Sequence, residues 1–268
     1  MVIRKPAVAG TFYPSDSSEL RKFSETYLRF AANPRAAKAV ILPHAGYIYS
    51  GETACRTLSP IRVPQKNFLI GPNHRGIGSD FSLFPKGEWE TPLGSVAVDE
   101  ELAAAMLEAS HDLRVDEAAH RTEHSLEVLV PLLQTKNPAL TMVPLLVGTL
   151  NLEDAHELAL VLGEILASRS EPILVVVSND MSHYEDEVAT REKDRYALRA
   201  IENLDAEGLK RVVREHRITM CGYVPVYMLL IMSEALGIKK ATLVDYRTSA
   251  DATGDRGRVV GYAGFIFE

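Results

Sequence analysis

Ala39-Val40-Ile41-Leu42-Pro43-His44 and Phe68-Leu69-Ile70-Gly71-Pro72-Asn73-His74 are two short apolar runs, each broken by a proline and followed closely by a histidine. A third run, Ile173-Leu174-Val175-Val176-Val177, leads into Ser178-Asn179-Asp180-Met181-Ser182-His183. Short unbroken runs rich in Val and Ile, bounded by Gly and Pro, read as strands buried on both faces, as in parallel sheets covered by helices. Ligands bind such sheets in the crevice beyond the carboxyl ends of the strands, where side chains distant in sequence can meet. The three histidines therefore point to a metal or acid-base site at one sheet edge.

Outward from these strands the pattern alternates. Residues 17–30 read as an amphipathic helix, with Leu20, Phe23, Tyr27 and Phe30 on one stripe and Asp16 placed as a cap. Residues 39–42 and 68–70 flank a short helix at 52–58, the length of a βαβ unit. The Gly- and Pro-rich stretch 75–98 predicts loops and short hairpin-like strands. Helices are expected at 99–109, 123–134, 151–167, 192–203 and 224–235, the last opened by Pro225 and stopped by Gly237. Strands are expected at 141–147, 173–177, 241–245 and 259–267. No repeat or linker interrupts the chain, which predicts one α/β domain over 1–268, a mostly parallel or mixed central sheet flanked by helices.

With 268 residues, 46% hydrophobic and 24% charged, the chain has enough apolar content for a substantial core. Its net charge of -7 and the lack of any long Lys/Arg cluster argue against a nucleic-acid or anionic-membrane surface. Two cysteines, Cys55 and Cys221, are too few for a disulfide framework and fit a reducing compartment. With no signal-like N-terminus and no membrane-length apolar run, the expected location is cytoplasmic.

The neighbours sharpen the site. His44 and His74 lie among Pro, Gly and Ala, in turns that fix a side chain and admit a ligand. Asp180 and His183 are spaced for a carboxylate to orient an imidazole, which suits proton transfer. Cys221 precedes the helix expected at 224–235, whose dipole would favour a thiolate. His124 and Glu127, three apart on an expected helix, are either a metal pair or a solvated contact. His111, His156 and His216 read as surface residues. G-x-G-x-x-G, P-loop, H-E-x-x-H and G-x-S-x-G patterns are absent, while a Cys/His nucleophile pair stays open.

Six ordered motifs then carry a resemblance: Pro6-Ala7-Val8-Ala9-Gly10-Thr11-Phe12-Tyr13-Pro14, Pro43-His44-Ala45-Gly46-Tyr47, Gly71-Pro72-Asn73-His74, Glu123-His124-Ser125-Leu126-Glu127, Ser178-Asn179-Asp180-Met181-Ser182-His183 and Met220-Cys221-Gly222. Together they resemble the Memo family, whose prokaryotic members are labelled AmmeMemoRadiSam system protein B. The resemblance implies a fold similar to LigB-type class III extradiol dioxygenases, which use non-haem Fe(II). It implies His44, His74 and Cys221 as metal ligands for Fe(II) or Cu, with Zn as a possible substitute. It also implies His183 with Asp180 as catalytic groups, and His124, Glu127, Tyr47 and Tyr13 around the pocket. A thiol stands where the similar dioxygenases have a carboxylate, which shifts metal preference toward softer ions. The function expected is a metal-dependent redox enzyme acting on a small molecule; the alternative is a non-catalytic module that binds a peptide or protein in the same pocket.

Overall fold

The computed structural model describes residues 2–268. It is built on a twelve-stranded sheet. In chain order the strands are β1 (Ile3–Arg4), β2 (Ala39–Leu42), β3 (Lys66–Pro72), β4 (Phe81–Leu83), β5 (Glu88–Thr91), β6 (Gly94–Val98), β7 (Arg114–Val115), β8 (Thr141–Val147), β9 (Ile173–Ser178), β10 (His183–Glu185), β11 (Ala241–Thr248) and β12 (Val259–Phe267). The spine β6-β8-β3-β9-β2 is parallel throughout. β12 joins antiparallel to β2 and carries β11 and β10, so the sheet is mixed.

Period-2 alternation sends successive side chains to opposite faces, and both faces of the spine are covered. Ile41, Phe68, Ile70, Val175 and Val177 pack into one core beneath helices Leu152–Ala167, Glu187–Glu202 and Tyr223–Met232. Val40, Leu42, Leu69, Leu174 and Val176 pack into the other, against helices Ser17–Tyr27, Glu52–Leu58 and Val130–Lys136. No helix among the described residues is long and apolar enough to cross a membrane.

The register explains where the site forms. β9 lies between β2 and β3, with Leu42 opposite Ser178 and Ile70 opposite Val177. The segments that follow these three strands therefore leave the sheet side by side at one edge, bringing His44, His74 and the stretch from Asn179 to His183 together.

Several expectations are corrected. Residues 123–126 are not helical: a short 3-10 turn covers Glu127–Leu129 and the α-helix spans Val130–Lys136. The cause is local, since the Glu123 carboxylate takes the backbone N–H groups of His124 and Ser125, and the Ser125 hydroxyl donates to the Pro72 carbonyl. The helix expected at 192–203 begins earlier, at Glu187, because Asp186 caps it by accepting from the Ala189 N–H. A further helix, Ala206–His216, capped by Asp205, had not been expected. The helix expected at 17–30 ends at Tyr27, leaving Phe30 beyond it, 63% exposed.

Candidate functional site

His44 is 1% exposed, two residues past β2. Its Nδ1 lies 2.6 Å from Ser178 Oγ, and that hydroxyl donates its only proton to the Ser125 carbonyl at 2.5 Å. Ser178 must therefore accept from His44 Nδ1–H, which leaves the lone pair on Nε2. Nε2 faces Cys221 Sγ at 3.3 Å. Burial, reinforced by the neighbouring histidines, holds the His44 imidazole neutral, well below its usual range.

His74 receives the same treatment from a carboxylate. Glu123, 2% exposed, accepts from His74 Nδ1 at 2.9 Å and from the His74 backbone N–H at 2.7 Å, freeing His74 Nε2. Desolvation works to raise Glu123, but the hydrogen bond and charge of His74 outweigh it and bring its carboxyl down to about 2. His124 stacks on His74 with ring centroids 4.6 Å apart, and its Nδ1 is 3.2 Å from the same Glu123 oxygen. Burial lowers His124 to about 4, so this imidazole is also neutral near pH 7.

Cys221 comes from the segment just ahead of helix Tyr223–Met232. Cys221 N–H donates to the Asp180 carbonyl at 3.2 Å, and Gly222 N–H to Asn179 Oδ1 at 2.9 Å, which joins the two loops. Gly222 makes this approach possible: a Cβ there would collide with the Ser178 carbonyl and the Asn179 side chain. One ligand atom each from His44, His74 and Cys221 fall within 4.8 Å of one another, as do those of His74, Glu123 and His124. The expected thiolate at Cys221 is corrected: although helix Tyr223–Met232 begins just beyond it, burial raises the thiol well above its ordinary value, with the Asp180 charge adding to the effect. Desolvation here outweighs the dipole.

Asp180 is 5% exposed and accepts from the His44 N–H at 2.8 Å. Its burial raises the carboxyl to about 6, against the lowering effect of that N–H and of His183. His183 is oriented by Thr219 rather than by a hydrogen bond to Asp180: its N–H donates to Thr219 Oγ1 at 2.8 Å and its Nδ1 to the Thr219 carbonyl at 2.9 Å. A carbonyl can only accept, so His183 Nδ1 carries the proton of this contact and Nε2 is the nitrogen it leaves uncommitted.

His74, His124, Asp180, His183, Thr219 and Cys221 line a cleft of about 870 Å³, with His44, Ser178 and Glu123 buried behind them. Glu127, Tyr13 and Tyr47, expected around the pocket, are not on its walls. Glu127 is buried beneath, where it accepts from the Ala7 and Val8 N–H groups and the Tyr13 hydroxyl and pairs with Arg4 at 2.7 Å. Tyr47 donates to the Val128 carbonyl. Phe12, Tyr49, Tyr184 and Tyr262 provide the cleft's aromatic surface instead. Glu123, Ser178 and Thr219 were not singled out from sequence. The one available signal was a carboxylate directly preceding His124 in a motif between strands.

The chain matches the family model described as Memo-like protein over residues 4–266. It is 42% identical to a MEMO1 family protein of Aquifex aeolicus and 38% identical to one of Methanobrevibacter smithii, each alignment spanning 100% of both chains. Among solved structures it is similar to the uncharacterized protein JW3007 of Escherichia coli K12, with a TM-score of 0.54 at 17% identity over 86% of this chain and 99% of that one. That likeness concerns the fold alone.

Proposed function

Because this chain belongs to the Memo-like protein family, we propose that its cleft is a metal-dependent redox site, with His44, His74 and Cys221 as ligands for Fe(II) or Cu and Zn as a substitute. The carrying observation is that these three donors converge within 4.8 Å while the opposite nitrogen of each imidazole is already committed, to Ser178 and to Glu123. Histidines so held by a second group are the usual form of metal-binding imidazoles. Two imidazoles and a sulfur suit Cu, Zn or Fe better than Mg or Ca.

Bound there, such an ion would supply electron transfer and polarisation of a small substrate. The chain's own groups do the rest. Ser178 and Glu123 fix ring tautomers, and Thr219 aims His183 Nε2 as a proton acceptor. Asp180 stands between His44 and Cys221 as a carboxyl whose charge is readily gained or lost. Ring cleavage is left out of this proposal because a soft, oxidisable thiol replaces the carboxylate of the extradiol site.

The test is anaerobic purification followed by metal quantification. Wild type should hold near-stoichiometric Fe or Cu and a His44→Ala, His74→Ala double variant should lose it; undiminished metal in the double variant rejects this ligand set. A second reading, peptide binding without catalysis, draws on exposed Ile48 and Tyr184. Metal-dependent oxygen uptake separates the two.

A further inference from the structure

Tyr184 adjoins His183 at the cleft in a left-handed conformation, φ 63°, with 65% of its surface exposed. The irregularity in the pairing of β10 with β12 falls between His183 and Glu185, on this residue. Glycine or asparagine suits such a backbone, and a tyrosine there gains little burial in return. Packing therefore does not account for the ring. What it does meet is Arg258, whose guanidinium lies 5.5 Å from the ring centroid. Tyr49, Tyr262 and Phe12 face the same space.

Arg258 is, among the described residues, the only Lys or Arg on the cleft wall. Among the described residues no carboxylate lies within the 4.0 Å of an ion pair to it, although Arg191 and Arg247, each with a neighbouring acid, are paired. Asp255 shares the rim, but its Oδ1 is occupied by the Gly257 N–H at 2.8 Å. The cleft thus has polarity: a free guanidinium at the rim, flat rings along the wall, and the Asp180 carboxyl with the imidazoles and thiol at the floor.

We propose that the cleft takes a small planar aromatic anion, its carboxylate or phosphate on Arg258 and its ring against Tyr184 and Tyr49, with the opposite end directed to the floor. Arg presents a planar fork matched to either anion, and aromatic walls favour a flat ligand. That the floor then acts on this ligand rests on the redox reading above; the binding itself does not.

The experiment is titration calorimetry of metal-reconstituted protein with 4-hydroxybenzoate, 4-hydroxyphenyl phosphate and uncharged 4-hydroxybenzamide, with ion content measured on the same samples. At least one anion should bind tenfold or more tighter than the amide, about 1.4 kcal/mol, and the better anion identifies the headgroup. Arg258→Gln should abolish that preference. Tyr184→Gly, which relieves the backbone, should weaken all three probes alike while the melting temperature is kept or raised. Equal binding of amide and anions, an anion preference that survives Arg258→Gln, or no binding of any probe overturns the proposal. Wild type without metal but with the anion preference would defeat the redox reading alone, so the two failures are told apart.

Discussion

At the scale of single residues, Glu123 governs both neighbouring imidazoles. It anchors His74 through ring and backbone and also receives the N–H of His124. Glu123→Gln should weaken metal retention about 10- to 100-fold in competition with a chelator, and retention equal to wild type would mean that His74 needs no such partner. Gly222→Ala should lower stability by about 1–3 kcal/mol, because the added methyl must displace the Ser178 carbonyl and the Asn179 side chain. Denaturant unfolding reads the loss, and an unchanged midpoint would show that the two loops yield freely. The ligand candidates were legible because strand ends advertise them: Pro43 and Pro72 close apolar runs, and a histidine follows each. Ser178 and Thr219 were not, since a hydroxyl or a carbonyl becomes an orienting group only through the ring brought opposite it.

At the scale of elements, the strands were the readable part. β2, β3, β8, β9 and β12 each contain an apolar run of at least three residues, and such runs are forced into the middle of a covered sheet. The misread segment, 123–134, has helical spacing in Leu126, Leu129, Val130 and Leu133, but its first residues spend their backbone donors on a side chain instead. Periodicity records which face is apolar, not which acceptor the N–H groups find. The N-terminal strap was likewise invisible: Arg4 crosses to Glu127, to the His120 and Glu123 carbonyls and over the Trp89 ring. Arg4→Leu leaves Glu127 buried without its cation and should cost about 3–5 kcal/mol, measured by denaturant unfolding; a loss below 1 kcal/mol would mean that the strap is dispensable.

At the scale of the whole molecule, buried histidines tie stability to pH. Burial lowers His120 to about 3, against about 6.5 in an unfolded chain. Between those values the unfolded chain holds a proton that the folded one lacks, so this contribution is complete above pH 6.5 and is lost as pH falls toward 3. The slope for this group is at most about 1.4 kcal/mol per pH unit. His124 and Glu123 act in the same direction, and Asp180, raised to about 6, opposes them between 3.8 and 6. Metal-free protein should unfold at lower urea at pH 5 than at pH 7.5, and His120→Asn should flatten that difference. An undiminished difference would relocate the effect to other groups.

The 177 positions between His44 and Cys221 also carry a consequence for biosynthesis. A ribosome has released both imidazoles long before the sulfur is translated, and the last strand, which pairs with β2, is later still. A nascent or prematurely terminated polypeptide therefore carries two histidines without their thiol partner, and the three-residue cluster can form only when synthesis is nearly finished. If the cluster holds an ion as proposed, chains halted upstream of Cys221 should emerge unloaded, and ion content would then gauge completed assembly.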